Sequence, residues 1–202
     1  MNAQEFTDTV RSAHETPLSR LGSSKWVYAL TGGEMTGDAV RAAWATDARA
    51  THGTFTAWAD GTDADAAAVF TDVAETVGDH VDGDASDDAD SRPMYDALAG
   101  LDDTVSRAGG LLAWSLVAEK TLAQMVGFFV GDADPRTADT FRDYRSDVQT
   151  LRTTAEDLLD SVCDDDADWD RAREAADRVV EAAYDDYVET LESMGVKPKN
   201  VY

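Results

Sequence analysis

The chain has 202 residues, of which 43% are apolar, with 41 acidic side chains against 17 basic ones and a single cysteine. The net charge of −24 excludes a general polyanion-binding surface, because phosphate recognition depends on cationic side chains. No uncharged apolar segment reaches about 18 residues, so no membrane span is predicted. Because one cysteine cannot form an internal disulfide and no secretory signal is evident, we expect a cytoplasmic protein with a single domain over residues 1–202.

The use of individual amino acids is strongly skewed. Asp outnumbers Glu by 31 to 10, Lys occurs only four times, and Ile does not occur. The scarcity of Ile, Lys and Asn is typical of a GC-rich genome. A surface of short carboxylates holds hydrated cations and stays soluble in molar salt, where the Debye length is about 3 Å. The composition therefore predicts a halophilic protein, and in particular a haloarchaeal one.

Helical periodicity runs through most of the chain, and no run alternates with period two for long enough to predict a sheet. A short helix is predicted over residues 4–14. Residues 18–30 are ambiguous, although a second short helix broken at Gly22 would explain them. A long helix is predicted over 36–59, with Thr36 as its cap. Its apolar stripe comprises Val40, Ala43, Trp44, Thr51, Phe55 and Trp58.

The second long helix is predicted over residues 63–81, with Asp63 as its cap, and it is followed by an acidic loop over 82–91. Pro93 then begins a short helical turn through Leu101. The third long helix, over 103–130, is the most apolar and is expected near the middle of a bundle.

Two further helices are predicted over residues 135–162 and 167–194, followed by a short tail. The aromatic residues along them, including Phe141, Tyr144 and Tyr187, are interpreted as core residues. The predicted fold is all-α: four long helices, forming a core bundle over 36–162, with a short N-terminal helix and a fifth C-terminal helix.

The long helices show a weak internal repeat. Trp58 and Phe129 are 71 residues apart, as are Phe70 and Phe141. Trp58 and Phe129 each lie near the end of one helix, and Phe70 and Phe141 each lie after the turn, in the next helix. Two hypotheses remain open: a pseudo-repeat of helical hairpins, and coincidence between two ordinary hairpins.

Two segments resemble the first two helices of rubrerythrin-type proteins: DARATHGTFTAWAD at 47–60 and FTDVAETVGDH at 70–80. The whole chain, including RLGSSK, GFFVGDADP and DWDRA, also resembles haloarchaeal proteins labelled rubrerythrin-like or transcription antitermination protein. The resemblance implies a ferritin-like four-helix bundle made of two helical hairpins, which in that superfamily holds a di-metal site.

The resemblance also implies where metal ligands would lie. Each of the first and third helices provides a Glu, and each of the other two provides Glu-x-x-His. His80 and Glu119 match two of these six positions. Apolar side chains occupy the other four, at Ala48, Val77, Val148 and Leu151. The implied site is degenerate, with His80 and Glu119 as the candidate metal ligands. No cofactor is expected, and iron or manganese is the alternative.

Both candidate ligands also have a structural interpretation. A carboxylate in the apolar third helix needs a partner, so Glu119 is either a ligand or general base, or an ion-pair partner of a residue such as Arg41 or Arg49. His80 near the end of the second long helix is either a ligand or a stabiliser of the helix dipole.

The remaining reactive residues are interpreted as structural. His14 and His52 lack a nearby ligand partner, and no close His or Cys pair predicts a zinc site. Residues 20–25 lack the spacing of a phosphate-binding loop. Cys163 precedes three aspartates, starting at Asp164, which would raise the pKa of its thiol and leave it unreactive.

Three classes of function follow from these features. The leading hypothesis is a non-enzymatic interaction or regulatory protein with a degenerate ferritin-like fold. The alternatives are a metal-dependent rubrerythrin-like oxidoreductase and a helical module that binds a small molecule. A homodimer is predicted from aromatic pairs at Trp26/Tyr28 and Tyr184/Tyr187, and a protein partner is possible. Neither direct nucleic-acid binding nor membrane binding is expected.

Overall fold

The protein is described by a computed structural model over residues 1–62, 64–80 and 92–198. Within these ranges the chain is helical and has no strand, which confirms the all-α prediction. In chain order the helices are α1 (Ala3–Ala13), α2 (Glu15–Leu21), α3 (Ser24–Leu30), α4 (Gly37–Asp60), α5 (Ala64–Gly78), α6 (Pro93–Ala99), α7 (Thr104–Gly131), α8 (Pro135–Val162) and α9 (Asp166–Ser193).

Polar caps begin the long helices close to the predicted positions. The Thr36 hydroxyl accepts a hydrogen bond from the Ala39 amide at 3.2 Å, and Asp134 accepts one from the Thr137 amide at 3.1 Å. Each bond satisfies an amide that has no partner within its helix. The bounds of α8 are as predicted, and α4, α7 and α9 are each shifted by one residue. Helix α5 ends earlier than predicted, at Gly78, and Asp63 lies outside the described residues.

The ambiguous segment over residues 18–30 contains parts of two helices, α2 and α3. They are separated at Gly22, as the broken-helix interpretation proposed, and the backbone of Ser23 is extended. The side-chain amide of Gln124 donates to the Gly22 carbonyl at 2.7 Å. This bond from α7 satisfies a carbonyl at the end of α2 and holds the break against the bundle.

Helix α7 lies at the centre of the fold, as its apolar sequence predicted. Every residue from 108 to 118 is buried, and α7 packs along both α8 and α9. At Gly109 the backbones of α7 and α9 come so close that a Cβ atom would lie 2.2 Å from the Ala172 carbonyl oxygen. Since no real side chain tolerates that distance, glycine at this position permits the helix contact.

The two hairpins, α4–α5 and α7–α8, repeat one aromatic contact at the predicted offset. In the first hairpin, the rings of Trp58 and Phe70 lie 5.3 Å apart. In the second, the rings of Phe129 and Phe141 lie 5.5 Å apart, although they are stacked rather than edge-to-face. The two hairpins also correspond in their packing, because all four of these rings are buried.

Helices α1 and α2 are attached to the bundle through polar contacts. The Ala3 amide donates to Asp160 at 2.8 Å, and the Thr7 hydroxyl donates to Glu156 at 2.9 Å, so that α1 lies against α8. At the junction of α1 and α2, His14 is buried and its Nε2 lies 2.7 Å from Asp177 on α9. His14 therefore has the structural role that was predicted.

The aromatic pairs that suggested a dimer do not form an exposed surface. Trp26 and Tyr187 are buried, while Tyr28 and Tyr184 are only partly accessible. The guanidinium of Arg20 lies 5.7 Å from the centre of the Tyr184 ring and covers part of it. The expectation that these four residues leave an apolar surface uncovered is therefore wrong. The dimer itself stays a prediction.

In the described part of the chain, no helix combines the length and the apolar character needed to cross a bilayer. The predicted acidic loop at 82–91 lies outside the described residues, as do the last four residues of the tail, 199–202. The halophilic and haloarchaeal assignments stay predictions.

Lowering the salt concentration is expected to destabilise the fold. Between molar and 0.1 M KCl the Debye length grows from about 3 to about 10 Å, so that repulsion between the 41 acidic side chains acts over a longer distance. We expect the melting temperature measured by circular dichroism to fall over this range. An unchanged melting temperature would contradict the halophilic prediction.

Candidate functional site

A cavity of about 330 Å³ lies between the first half of α4 and the first half of α8, with the end of α5 beside it. Its lining residues are Asp38, Arg41, Ala42, Trp44, Ala45, His80, Thr137, Thr140, Phe141 and Tyr144. On each helix these residues recur at the three- and four-residue intervals that place side chains on one face. The two helices therefore present matching faces to the same space.

Three aromatic rings form one corner of this cavity. The Trp44 ring lies 5.5 Å from the Phe141 ring at an angle of 82°, and 5.0 Å from the Tyr144 ring at 65°. Rings at such angles pack edge against face, as the quadrupole of an aromatic ring favours. The Trp44 ring is partly exposed to the cavity, whereas the Phe141 and Tyr144 rings are buried against it.

The hydroxyl of Tyr144 is a buried polar group without a hydrogen-bond partner among the described residues. Burial raises the pKa of this phenol well above its ordinary value, and the nearby carboxylates Asp147 and Asp47 raise it further. The group therefore stays neutral and keeps its proton. An unpaired buried hydroxyl costs about 1–3 kcal/mol, which the packing of the tyrosine ring has to offset.

His80 lies two residues beyond the end of α5 and forms an ion pair or hydrogen bond with α8. Its Nε2 is 2.8 Å from the Asp147 carboxylate, and its ring lies 4.1 Å from the Tyr144 ring. The carboxylate and the tyrosine ring together fix the orientation of the imidazole at the edge of the cavity. The structural interpretation expected His80 to stabilise the dipole of its own helix. In the structure its side chain instead contacts Asp147 and Tyr144 on α8.

Glu119, the other predicted ligand, pairs with a residue that the sequence did not suggest. Its carboxylate lies 3.2 Å from the guanidinium of Arg152 on α8. The predicted partners were Arg41 and Arg49, but Arg41 binds Asp134 instead. The ion-pair interpretation of Glu119 is therefore favoured, with a correction to the partner.

The structure does not bring His80 and Glu119 to one site. Their partners, Asp147 and Arg152, are five residues apart on α8 and therefore point about 140° apart around the helix. His80 and Glu119 also line different cavities.

The residues present do not fit a carboxylate-bridged metal pair. The four apolar side chains at the remaining ligand positions, Ala48, Val77, Val148 and Leu151, are all buried. Among the described residues, no three His, Cys, Asp or Glu side chains form a cluster that could hold a metal ion. The metal assignment of His80 and Glu119 stays a prediction that this arrangement does not favour.

A partly buried charge network that sequence reasoning missed lies beside the aromatic corner. Arg92, just before α6, donates to the Asp47 carboxylate at 2.9 Å and to the Asp186 carboxylate at 3.0 Å. It thereby joins α4, α6 and α9. Burial raises the pKa of Asp47, an effect that outweighs the opposing charge of Arg92. Burial lowers the pKa of the Arg92 guanidinium, but the neighbouring carboxylates, with Asp47 first, outweigh it and raise that pKa overall.

The sequence contains a signal for Asp47 in the stripe of α4. Asp47 lies three residues after Trp44 and four before Thr51, so that it occupies the buried face of the helix. A carboxylate at such a position requires a buried partner. The identity of that partner could not be predicted, because Arg92 is 45 residues away along the chain.

Cys163 is half-buried after the end of α8, and its surroundings confirm the expected rise in thiol pKa. The pKa is raised to about 11, first by burial and then by carboxylates, of which Asp168 has the largest effect. The predicted cause, the aspartates that follow the cysteine, is the smaller contribution.

Cys163 is expected to react slowly with iodoacetamide in the folded protein. With a pKa of about 11, the reaction rate should rise about tenfold per pH unit from pH 8 to pH 10, since only the thiolate reacts. Mass spectrometry of the alkylated protein measures this rate, with urea-unfolded protein as the reference. A rate that levels off near pH 8.5 would contradict the raised pKa.

Comparison with protein-family models, with curated proteins and with solved structures found no match to this chain.

Proposed function

We propose that this protein is a non-enzymatic binding module that holds a small organic molecule in the cavity between α4 and α8. The observation that carries the proposal is the cavity itself. Its volume of about 330 Å³ is within the range of small-molecule sites, which is about 300–1,000 Å³. Aromatic walls with a few polar groups are typical of such sites, and here the lining combines the partly exposed ring of Trp44 with the charged side chains of Asp38 and Arg41.

We also propose that the bundle follows the ferritin-like plan of two helical hairpins. The repeated contacts Trp58–Phe70 and Phe129–Phe141 support a common origin of the two hairpins. An interaction or regulatory role is compatible with this plan, with the bound molecule as the signal. A metal-dependent oxidoreductase would require His80 and Glu119 at one centre, and their pairing with Asp147 and Arg152 argues against it.

The proposal is tested with 5-fluoroindole, a neutral aromatic probe whose fluorine NMR signal broadens on binding. We expect broadening with the native protein and none with Ala42→Trp, which places a large side chain in the cavity. Ala42 is exposed on α4, so the substitution should leave the core intact. Ala68→Trp is the matched control, since Ala68 is exposed on α5 and does not line the cavity.

Broadening that persists in Ala42→Trp would place the probe elsewhere and contradict the proposal. If neither 5-fluoroindole nor choline, the charged probe used below, bound to the folded native protein, the binding function would be wrong. Circular dichroism of each variant in the same molar KCl establishes that the bundle is folded.

A further inference from the structure

We infer that the molecule held in this cavity is an organic cation with a methylated ammonium group, seated against the partly exposed ring of Trp44 at the aromatic corner. The inference rests on the proposed function and specifies its ligand. It depends on two independent features of the site, the accessible ring of Trp44 and the charges around it.

Within the aromatic corner, Trp44 is the ring that is open to the cavity. A ring attracts a cation over its face, and tryptophan does so most strongly. The Trp44 ring is partly exposed, whereas the Phe141 and Tyr144 rings are buried and pack edge to face against it, so Trp44 presents the ring that a cation would contact. A methylated ammonium is rounded, is apolar on its outside and carries a diffuse positive charge.

The charges around the cavity favour a cation over an anion. Three carboxylates, those of Asp38, Asp134 and Asp147, lie in or beside the lining, against one guanidinium. That guanidinium, on Arg41, is already paired, because it lies 3.0 Å from Asp38 and 2.7 Å from Asp134. Hydrogen bonds from Thr137 lower the pKa of Asp134, so this carboxylate stays ionised.

The positions of these carboxylates also distinguish a methylated ammonium from a primary one. Asp38 is fully exposed at the rim, and Asp147 is held by His80. Among the described residues, no unpaired carboxylate lies at the aromatic wall for an N–H donor to pair with directly. A primary ammonium would lose hydration there without replacing its hydrogen bonds, whereas a trimethylammonium group has no hydrogen bonds to lose.

The experiment compares choline with 3,3-dimethylbutan-1-ol, which has the same shape but no charge. Both are titrated into the native protein in molar KCl, and affinities are measured by saturation-transfer NMR. We expect choline to bind about tenfold more tightly than its neutral counterpart. Trp44→Leu should remove this preference, and Trp44→Phe should retain part of it because a ring face remains.

Tyr28→Leu is the matched aromatic control. Tyr28 is a partly buried ring on α3 that does not line the cavity, so its replacement should leave the preference for choline unchanged. The same preference in Trp44→Leu as in the native protein would overturn the role of the aromatic corner.

The failures of the two proposals are distinguishable. Equal affinities for choline and 3,3-dimethylbutan-1-ol would overturn the cation and leave the binding function standing. Binding of 5-fluoroindole without binding of choline would do the same. Binding of none of the three probes would reject both the ligand class and the proposed function.

Discussion

Replacing Arg92 with methionine is expected to lower the free energy of unfolding by about 3 kcal/mol, because two carboxylates would lose the cation between them. Asp47 is almost fully buried, and Asp186 is 22% exposed. Methionine keeps much of the apolar stem of arginine, so the loss is mainly electrostatic. Urea denaturation at pH 8 in molar KCl measures the effect.

The loss in Arg92→Met should depend on pH. Without the guanidinium, the pKa of Asp47 rises further above its value in the unfolded chain, so the folded state binds more protons. Stability is then retained at low pH and lost as the pH rises, and the deficit relative to the native protein should be larger at pH 8 than at pH 5. A deficit independent of pH would contradict the electrostatic cause.

Two variants separate a lost charge from a lost contact. The double substitution Arg92→Met with Asp47→Asn removes the uncompensated charge and should recover at least half of the stability. Arg145→Met on the exposed face of α8 is the control, with an expected change within about 0.5 kcal/mol. An Arg92→Met variant no less stable than Arg145→Met would exclude a structural role for the network.

Replacing Gly109 with alanine is expected to destabilise the protein by about 3 kcal/mol, at the upper end of the usual cost of overpacking. The new Cβ would lie 2.2 Å from the backbone oxygen of Ala172, and a backbone cannot rotate away as a side chain can. Helices α7 and α9 would have to separate. Thermal and urea denaturation measure the change.

The neighbouring glycines of α7 provide graded controls. At Gly110 the added Cβ would meet the end of the Leu101 side chain at 2.4 Å, which can move, so a smaller loss is expected. Gly127 is exposed with open space around it, and alanine there should stabilise the helix by about 0.5–1 kcal/mol. Equal effects at Gly109 and Gly127 would show that the close helix contact is unimportant.

The helices could largely be predicted from the sequence, because their signals are local. The Asp134–Pro135 step begins α8 where a cap and a proline coincide, and the side chain of Thr36 caps the start of α4. The junction at Gly22 stayed ambiguous, since its geometry depends on Gln124 from another helix.

The site was harder to predict than the helices that form it. The periodic pattern correctly placed Trp44, Phe141 and Tyr144 on inward faces. It identifies a face but not the distance to the next helix, so a residue lining a cavity has the same pattern as a residue in a filled core. The ion pairs of Glu119 with Arg152 and of Arg92 with Asp47 join distant segments, and no local rule selects such partners.

The different exposure of the tryptophans gives the cavity an intrinsic optical reporter. Of the five, Trp26, Trp58, Trp114 and Trp169 are buried, and only Trp44 at the aromatic corner is partly accessible. Collisional quenching of fluorescence by acrylamide should therefore arise mainly from Trp44. A molecule that fills the cavity would shield this ring, so occupancy can be followed in unlabelled protein by the loss of quenching alone.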